Sequence, residues 1–239
     1  MGAYLRANRA KIEQALASSP QRPYFSPIFY SQHRMIVPLM ARYLQGKVVD
    51  LGCGHTPYKN FMPPAVEVYH TLDYQPRVPN VTYIGDIQHM PMVASNSYDS
   101  AICFEVIEHV PQPGRALSEI YRVLKPGGVA IISVPHLSRL HEEPNDYFRF
   151  TIYGFRHLLT QANFEVVALQ MTGGLFSFLG HQLSTALLTS VWPVPLLRQV
   201  IWYLNKWLVT LPCVGLDNLT NKSGIFALGY VGVVRKPLL

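Results

Sequence analysis

Three aspartates, Asp50, Asp73 and Asp86, each close a short apolar run, and two glycines, Gly52 and Gly54, follow the first of them. The stretch Val48-Val49-Asp50-Leu51-Gly52-Cys53-Gly54 opens on β-branched residues and ends on glycines one position apart. That pattern describes a buried strand running into a tight turn where the main chain must come close to a ligand. Glycines let a carboxylate or a sugar approach, and the N-terminus of the next helix offers free N–H groups. Asp73 is suited to accept hydrogen bonds from both ribose hydroxyls. Asp86 is suited to accept from the exocyclic amine of adenine. A nicotinamide site would want a third glycine after two intervening residues, whereas Gly52-Cys53-Gly54-His55-Thr56 continues to Pro57. Aspartates often end strands only as turn residues, but three in succession, each at a strand end, argue for a shared ligand.

The elements around these residues follow from hydrophobic periodicity. Residues 5–18 have helical spacing, with Leu5, Ile12, Ala15 and Leu16 apolar. A proline- and aromatic-rich loop follows, and a second helix runs over about 32–44. Strands are predicted at 48–51, 66–72, 81–85, 100–106, 129–134, 164–169 and 225–234. A helix over 111–124 stops at Lys125-Pro126-Gly127-Gly128, and another over 151–162 is capped by Thr151 and followed by Asn163. Strands alternating with helices at this spacing predict a doubly wound, Rossmann-like, mostly parallel α/β sheet. In such sheets ligands bind beyond the carboxyl ends of the strands, where every polar cluster in this sequence falls. Residues 1–45 are expected to form an N-terminal cap and 46–239 the main domain, with an apolar helical insert over 171–223 between the last two strands.

Composition limits the function classes. With 239 residues, 49% of them hydrophobic, the chain can bury one substantial core. Cys53, Cys103 and Cys213 are too few and too scattered for a disulfide framework, which fits a reducing compartment, and no secretory signal is evident; the expected location is the cytoplasm. The net charge of +6 is uneven: residues 1–49 carry seven Lys/Arg and one acid, 50–170 eight and twelve, and 171–239 five and one. Basic arms flanking an acidic centre suit an anionic surface. No dense Lys/Arg stripe with interleaved aromatics occurs, so nucleic acid is not an expected partner.

Taken as an ordered set, Val48–Gly54, Leu72-Asp73, Gly85-Asp86-Ile87, Tyr98-Asp99-Ser100, Glu105-Val106-Ile107-Glu108-His109-Val110 and Leu124–Gly128 resemble the class I S-adenosylmethionine-dependent methyltransferases of the type 11 group, over roughly residues 45–170. The resemblance implies a seven-stranded sheet and S-adenosyl-L-methionine as cofactor. It implies that Asp50, Gly52 and Gly54 line the methionine end, that Asp73 holds the ribose, and that Asp86 with Ile87 holds adenine. Phe104 falls where the family packs a residue beside the cofactor, and Cys53 packs small between its glycines. Thr56 stands where many members have a third glycine. Methyl transfer to a hydroxyl needs a proton acceptor besides positioning. The candidates are His109, His136 and His141. The segment His141-Glu142-Glu143-Pro144-Asn145-Asp146-Tyr147-Phe148-Arg149-Phe150-Thr151 resembles a block of bacterial type 11 enzymes of glycan and lipid biosynthesis. His141 is therefore the expected base, with Asp146 orienting it; the rival reading pairs Asp146 with Arg149 in a surface loop. Glu105, Glu108 and His109 form an E-x-x-E-H pattern that binds a divalent metal in some relatives, but the pattern is widespread without one and no metal is expected.

The insert holds two apolar stretches, 175–192 and 194–214, split by Pro193 and Pro195. Arg198 and Lys206 count against a membrane span, whereas Trp202, Tyr203, Trp207 and Lys206 suit an interfacial helix. A peripheral membrane contact through 175–214 on the inner face, or a homodimer face, is the expected use. The function expected is methyl transfer, at oxygen, to a hydrophobic, lipid-linked or glycan small molecule. The alternatives are a non-catalytic cofactor-binding partner protein and, less favoured, a nucleic-acid methyltransferase.

Overall fold

The computed structural model describes residue 8, residues 11–12, 14–17, 19–221 and 224–238. Part of the expected first helix, including Leu5, lies outside the described residues; Ile12, Ala15 and Leu16 are helical. The chain divides into two compact units, one of residues 1–35 with 172–228 and one of 36–171 with 229–239.

The second unit is built on a seven-stranded sheet of order β3-β2-β1-β4-β5-β7-β6. Its strands are β1 (Gly46–Leu51), β2 (Val66–Asp73), β3 (Tyr83–Ile84), β4 (Tyr98–Phe104), β5 (Leu124–Pro135), β6 (Glu165–Thr172) and β7 (Gly229–Arg235). β1 pairs in parallel with β2 and β4, and β4 with β5, whereas β7 is antiparallel to β5. β1 and β4 are almost wholly buried, as continuous apolar runs in a parallel sheet must be. Strand order reverses between β1 and β4, so a crevice opens beyond their carboxyl ends. The register Asp50↔Ile102, Leu51↔Leu72 and Phe104↔Ser133 brings Asp50, Asp73 and Phe104 to that one edge.

Helix α1 (Pro27–Tyr43) starts earlier than its periodicity suggests, since Pro27 fits a first helical turn. In α2 (Pro113–Val123), Ala116, Leu117, Ile120 and Val123 form the buried stripe. In α3 (Ile152–Gln161), the Thr151 side chain accepts from Gly154 N at 3.1 Å, and Asn163 takes the left-handed conformation past the end. Pro126-Gly127-Gly128 does not separate α2 from its strand as the sequence suggested. β5 begins at Leu124, and the register slips between Tyr98↔Leu124 and Ser100↔Val129. The extra residues bulge there because Gly127 has φ +79° and a Cβ on Gly128 would lie 2.8 Å from Lys125 O. At the other end, a Cβ on Gly229 would lie 2.4 Å from Val134 O, so only glycine lets β7 start against β5.

The first unit holds α4 (Leu175–Val191), α5 (Pro195–Asn205), a π-helical turn (Lys206–Thr210) and α6 (Leu211–Thr220). In this unit the N-terminal residues and the insert share one core, of Ile12, Leu16, Phe25, Leu188 and Trp192. Asn205 Nδ2 donates to Tyr24 O and Phe25 O, both at 3.1 Å, and Asp217 accepts from Phe176 N and Ser177 N at the start of α4. The end of α1 goes the other way, with Ile36, Met40 and Leu44 buried. Among the described residues no helix is long and apolar enough to cross a membrane.

Candidate functional site

The glycine turn after β1 is stitched to the end of β2: Gly52 N and Cys53 N both donate to Leu72 O, at 2.8 and 3.1 Å. Gly52 has φ +73°, and a Cβ there would lie 2.4 Å from a methyl of Val106, so the position is closed to any side chain. Gly54 has φ +50° but open space where a Cβ would go. Thr56 takes φ 51°, in the left-handed region that glycine enters more readily than threonine. Asp73 points at this turn, its Oδ2 accepting from Gly54 N at 2.7 Å and its Oδ1 from Gln75 N at 2.9 Å. Each oxygen keeps a further lone pair for a sugar hydroxyl.

Asp50 is buried, with Oδ2 accepting from the Tyr69 hydroxyl at 2.5 Å. Burial first, and then the nearby Asp73 charge, push its carboxyl up to about 7 against the opposing Tyr69 hydrogen bond. A buried carboxylate in this state would be stabilised in its charged form by a cation such as an amino-acid ammonium. Asp86 is already engaged, its Oδ1 accepting from Gln88 N at 2.8 Å and both oxygens lying near Gln88 Nε2. Ile87 beside it is buried. Phe104 is half-buried, edge-on to Tyr58 at 5.0 Å between ring centroids. The Cys53 thiol, pushed up to about 12 by burial, is inert. A buried carboxylate in need of a cation, two acceptors on Asp73 and an open glycine turn fit an amino-acid nucleoside such as S-adenosylmethionine. Asp73→Asn is expected to weaken S-adenosylmethionine binding by about 10–100-fold, the worth of a hydrogen bond to a charged group, when measured by calorimetry.

The ionisable cluster sits past the end of β4. Glu105 has φ 55°, a left-handed strain held by Ser133, whose backbone O and Oγ both accept from Glu105 N at 3.1 Å and whose Oγ donates to Glu105 Oε1 at 2.8 Å. A one-turn helix over Ile107–His109 then carries Glu108 inward. Glu108 O accepts from Tyr147 N and Phe148 N, which lays the 136–151 loop over the turn. The Glu108 side chain is 0% exposed, and neither of its oxygens has a hydrogen-bond partner among the described residues. Burial, and then the Glu105 charge, push its carboxyl well above the usual carboxylate range.

Two imidazoles face that carboxylate. His109 Nδ1 lies 2.7 Å from Asn145 O, and a carbonyl only accepts, so Nδ1 carries the proton and the Nε2 lone pair points to Glu108 Oε1 at 3.5 Å. His141 Nδ1 lies 3.2 Å from Arg139 O, which places its Nε2 lone pair 4.0 Å from the same oxygen. Arg149 Nη2 also approaches His141 Nδ1, at 3.3 Å, but already donates to Arg139 O and Asp146 Oδ2 at 2.7 Å. Three acceptor atoms, on Glu108, His109 and His141, thus lie within 4.8 Å of one another. They have room for a proton or a divalent cation between them. Burial lowers the His141 pKa below that of an ordinary histidine, which keeps it neutral and able to take a proton near pH 7.

Asp146 does not serve the His141 ring as its main partner. It binds Arg149 through both oxygens, at 2.6 and 2.7 Å, and this pairing holds its carboxyl down at about 2. The carboxylate reaches His141 through the backbone instead, accepting from His141 N at 2.8 Å, with the ring Nδ1 at 3.5 Å. The expected role and its rival are therefore both part of one arrangement. A bidentate fork is geometrically better satisfied than a single imidazole contact, so Arg149 takes the carboxylate. His136 stands apart from the cluster, with its ring 5.7 Å from that of Tyr230. Tyr69 and Ser133 were not singled out in the sequence; their signal was position alone, Tyr69 two residues before the partner of Asp50 on the same side of the sheet and Ser133 opposite Phe104.

A mostly parallel sheet with a reversal at β1/β4, and an open glycine turn with Asp50 and Asp73 at that edge, define a class I nucleoside-cofactor fold. The methyltransferase-domain family model matches residues 5–169, and the chain belongs to that family. S-Adenosylmethionine is the cofactor of this class. A probable S-adenosylmethionine-dependent methyltransferase of Mycolicibacterium smegmatis is 28% identical over 118 residues, 45% of this chain and 46% of that protein. A ubiquinone biosynthesis O-methyltransferase of Pseudomonas savastanoi pv. phaseolicola is 28% identical over 130 residues, 47% of this chain and 52% of that protein. The chain thus spans about half the length of these curated relatives. Among solved structures, a putative methyltransferase of Bacillus halodurans superposes with a TM-score of 0.54 at 16% identity, over 84% of this chain and 97% of that one.

Proposed function

We propose that this chain transfers the methyl group of S-adenosylmethionine to a hydroxyl oxygen of a hydrophobic small molecule, free or lipid-linked, in the cytoplasm. The observation that carries the reading is the convergence of Glu108, His109 and His141 within 4.8 Å of one another, with the Nε2 lone pair of a neutral His141 among them. An acceptor hydroxyl brought to this cluster finds a sink for its proton. The cofactor supplies an electrophilic methyl group on a positively charged sulfur. The oxygen lone pair forms the new C–O bond as the C–S bond breaks, its electrons stay on sulfur, and the hydroxyl proton passes to Nε2 of His141. Asp50 and Asp73 hold the donor by its ammonium and ribose, while Arg149 and Asp146 hold the loop that carries His141. Relatives named ubiquinone biosynthesis O-methyltransferases support an oxygen acceptor. Three free thiols, at Cys53, Cys103 and Cys213, support the cytoplasmic placement.

The test is a panel of apolar phenols, quinols, glycans and amines incubated with the protein and methyl-labelled S-adenosylmethionine. Label is expected in ethers. Label confined to nitrogen would overturn the oxygen reading, and tight cofactor binding without any turnover would leave a cofactor-binding partner protein. A divalent cation held by Glu108, His109 and His141 is the second reading, favoured by the unpartnered burial of Glu108. Chelator-treated protein that stays fully active removes it.

A further inference from the structure

The helical unit of residues 1–35 and 172–228 buries polar side chains beside its apolar core and leaves large apolar ones outside. Its interior holds Ser177, Ser184, Thr185, Asn205, Thr210 and Asp217, all buried. Its outside holds Leu183, Leu196 (76% exposed), Tyr203 (64%), Trp207 (50%) and Leu208 (69%). A helix folded against water puts its leucines inside and its hydroxyls out. On α4, Leu179, Leu183 and Leu187 recur every fourth residue and form an exposed apolar stripe, while Ser177, Gly180 and Ser184 face inward. A Cβ on Gly180 would lie 2.7 Å from Cys213 Sγ, so the helices touch through small residues. That style of packing belongs to helices whose outer surface meets apolar surroundings.

The same unit carries the charge of the whole chain. Residues 1–35 and 172–228 hold eight Lys/Arg and two acids, an excess equal to the net +6, whereas the sheet unit holds twelve of each. Lys206 Nζ lies 4.0 Å from the Tyr24 ring centroid and 5.2 Å from that of Trp207, and Arg198 lies 4.8 Å from that of Trp192. Cations resting on aromatic rings beside exposed leucines are the arrangement of a surface half-sunk in lipid, with amphipathic side chains at headgroup depth.

We propose that the outer face of this helical unit docks on an anionic lipid bilayer surface. The exposed leucines enter the acyl boundary, and Arg198 and Lys206 face anionic headgroups. Because no described helix is long and apolar enough to cross a membrane, the contact is in the plane of one leaflet. The inference stands independently of the acceptor chemistry and supplies a reason for an apolar acceptor.

The experiment sediments the full chain with vesicles of phosphatidylcholine alone or with about one third phosphatidylglycerol, alongside light scattering without lipid. Binding is expected to be about tenfold tighter or more to the anionic vesicles and to weaken as salt rises. The exposed pair Trp207→Glu and Leu208→Glu is expected to abolish sedimentation while leaving S-adenosylmethionine affinity and circular dichroism unchanged, so a misfolded variant is recognised as such; a milder Leu208→Ser is expected to reduce binding partially. A chain that remains monomeric and in the supernatant with both vesicle types overturns the proposal. So does a dimer that these substitutions dissociate, since the face would then belong to a second copy. Vesicle binding does not depend on turnover, so failure here is distinct from failure of the methyl-transfer reading.

Discussion

His141→Ala is expected to lower kcat by about 10²–10⁴-fold, the range for a positioned general base, while S-adenosylmethionine affinity stays within about threefold. The split follows from the geometry. The His141 ring sits in the Glu108 cluster, whereas the site proposed for the donor is formed by Asp50, Asp73 and the glycine turn. The pH profile carries the same information. Burial lowers the His141 pKa, so its neutral, proton-accepting form persists to lower pH than in an ordinary histidine. Activity should rise with pH and level off, with the acid limb below the usual histidine midpoint, and His141→Ala should remove that limb. A variant that weakens donor binding as much as turnover, or that keeps the limb, would assign the base elsewhere, with His109 the next candidate.

Arg149→Ala is expected to cost about 3–5 kcal/mol of stability, read as a shift in the denaturant midpoint, because it leaves the buried Asp146 carboxylate without its charged partner and with only the His141 N–H donating to it. The Asp146 side chain is only 2% exposed, and Arg149 also donates to Ser138 O, Arg139 O and Phe148 O. Adding Asp146→Asn to Arg149→Ala should recover part of the loss, since a neutral amide costs less to bury. The sign with pH is definite. The pair holds Asp146 down at about 2, so its contribution is complete above the ordinary carboxylate pKa near 4 and fades as pH falls toward 2. The stability difference between wild type and Arg149→Ala should therefore shrink on acidification. A difference that grows would mean that Asp146 is not the group responsible.

Strand and helix order and the mostly parallel sheet were legible in the chain because their signals are local. Apolar runs ending in Asp50, Asp73 and Asp86 report the strand ends, and the glycine spacing reports the turn. The boundaries moved where a long-range partner intervened: β5 begins at Leu124 because it pairs with Tyr98 across a bulge. Thr56 reads as a departure from glycine, and its left-handed φ is set by the fold.

The sequence by itself pointed to the cofactor class, through an ordered set of strand-end acids and a glycine turn. Only the tertiary structure decided which groups face one another. Glu108 reads as one acid among several until a one-turn helix buries it between His109 and His141. Asp146 reads as a partner for His141 until Arg149 takes both of its oxygens. The insert reads as apolar, but which side of each helix faces outward depends on packing against residues about 180 positions away, as Asn205 does with Tyr24 and Phe25. Spacing along a chain fixes the face of an element, but burial and pairing come from what folds against it.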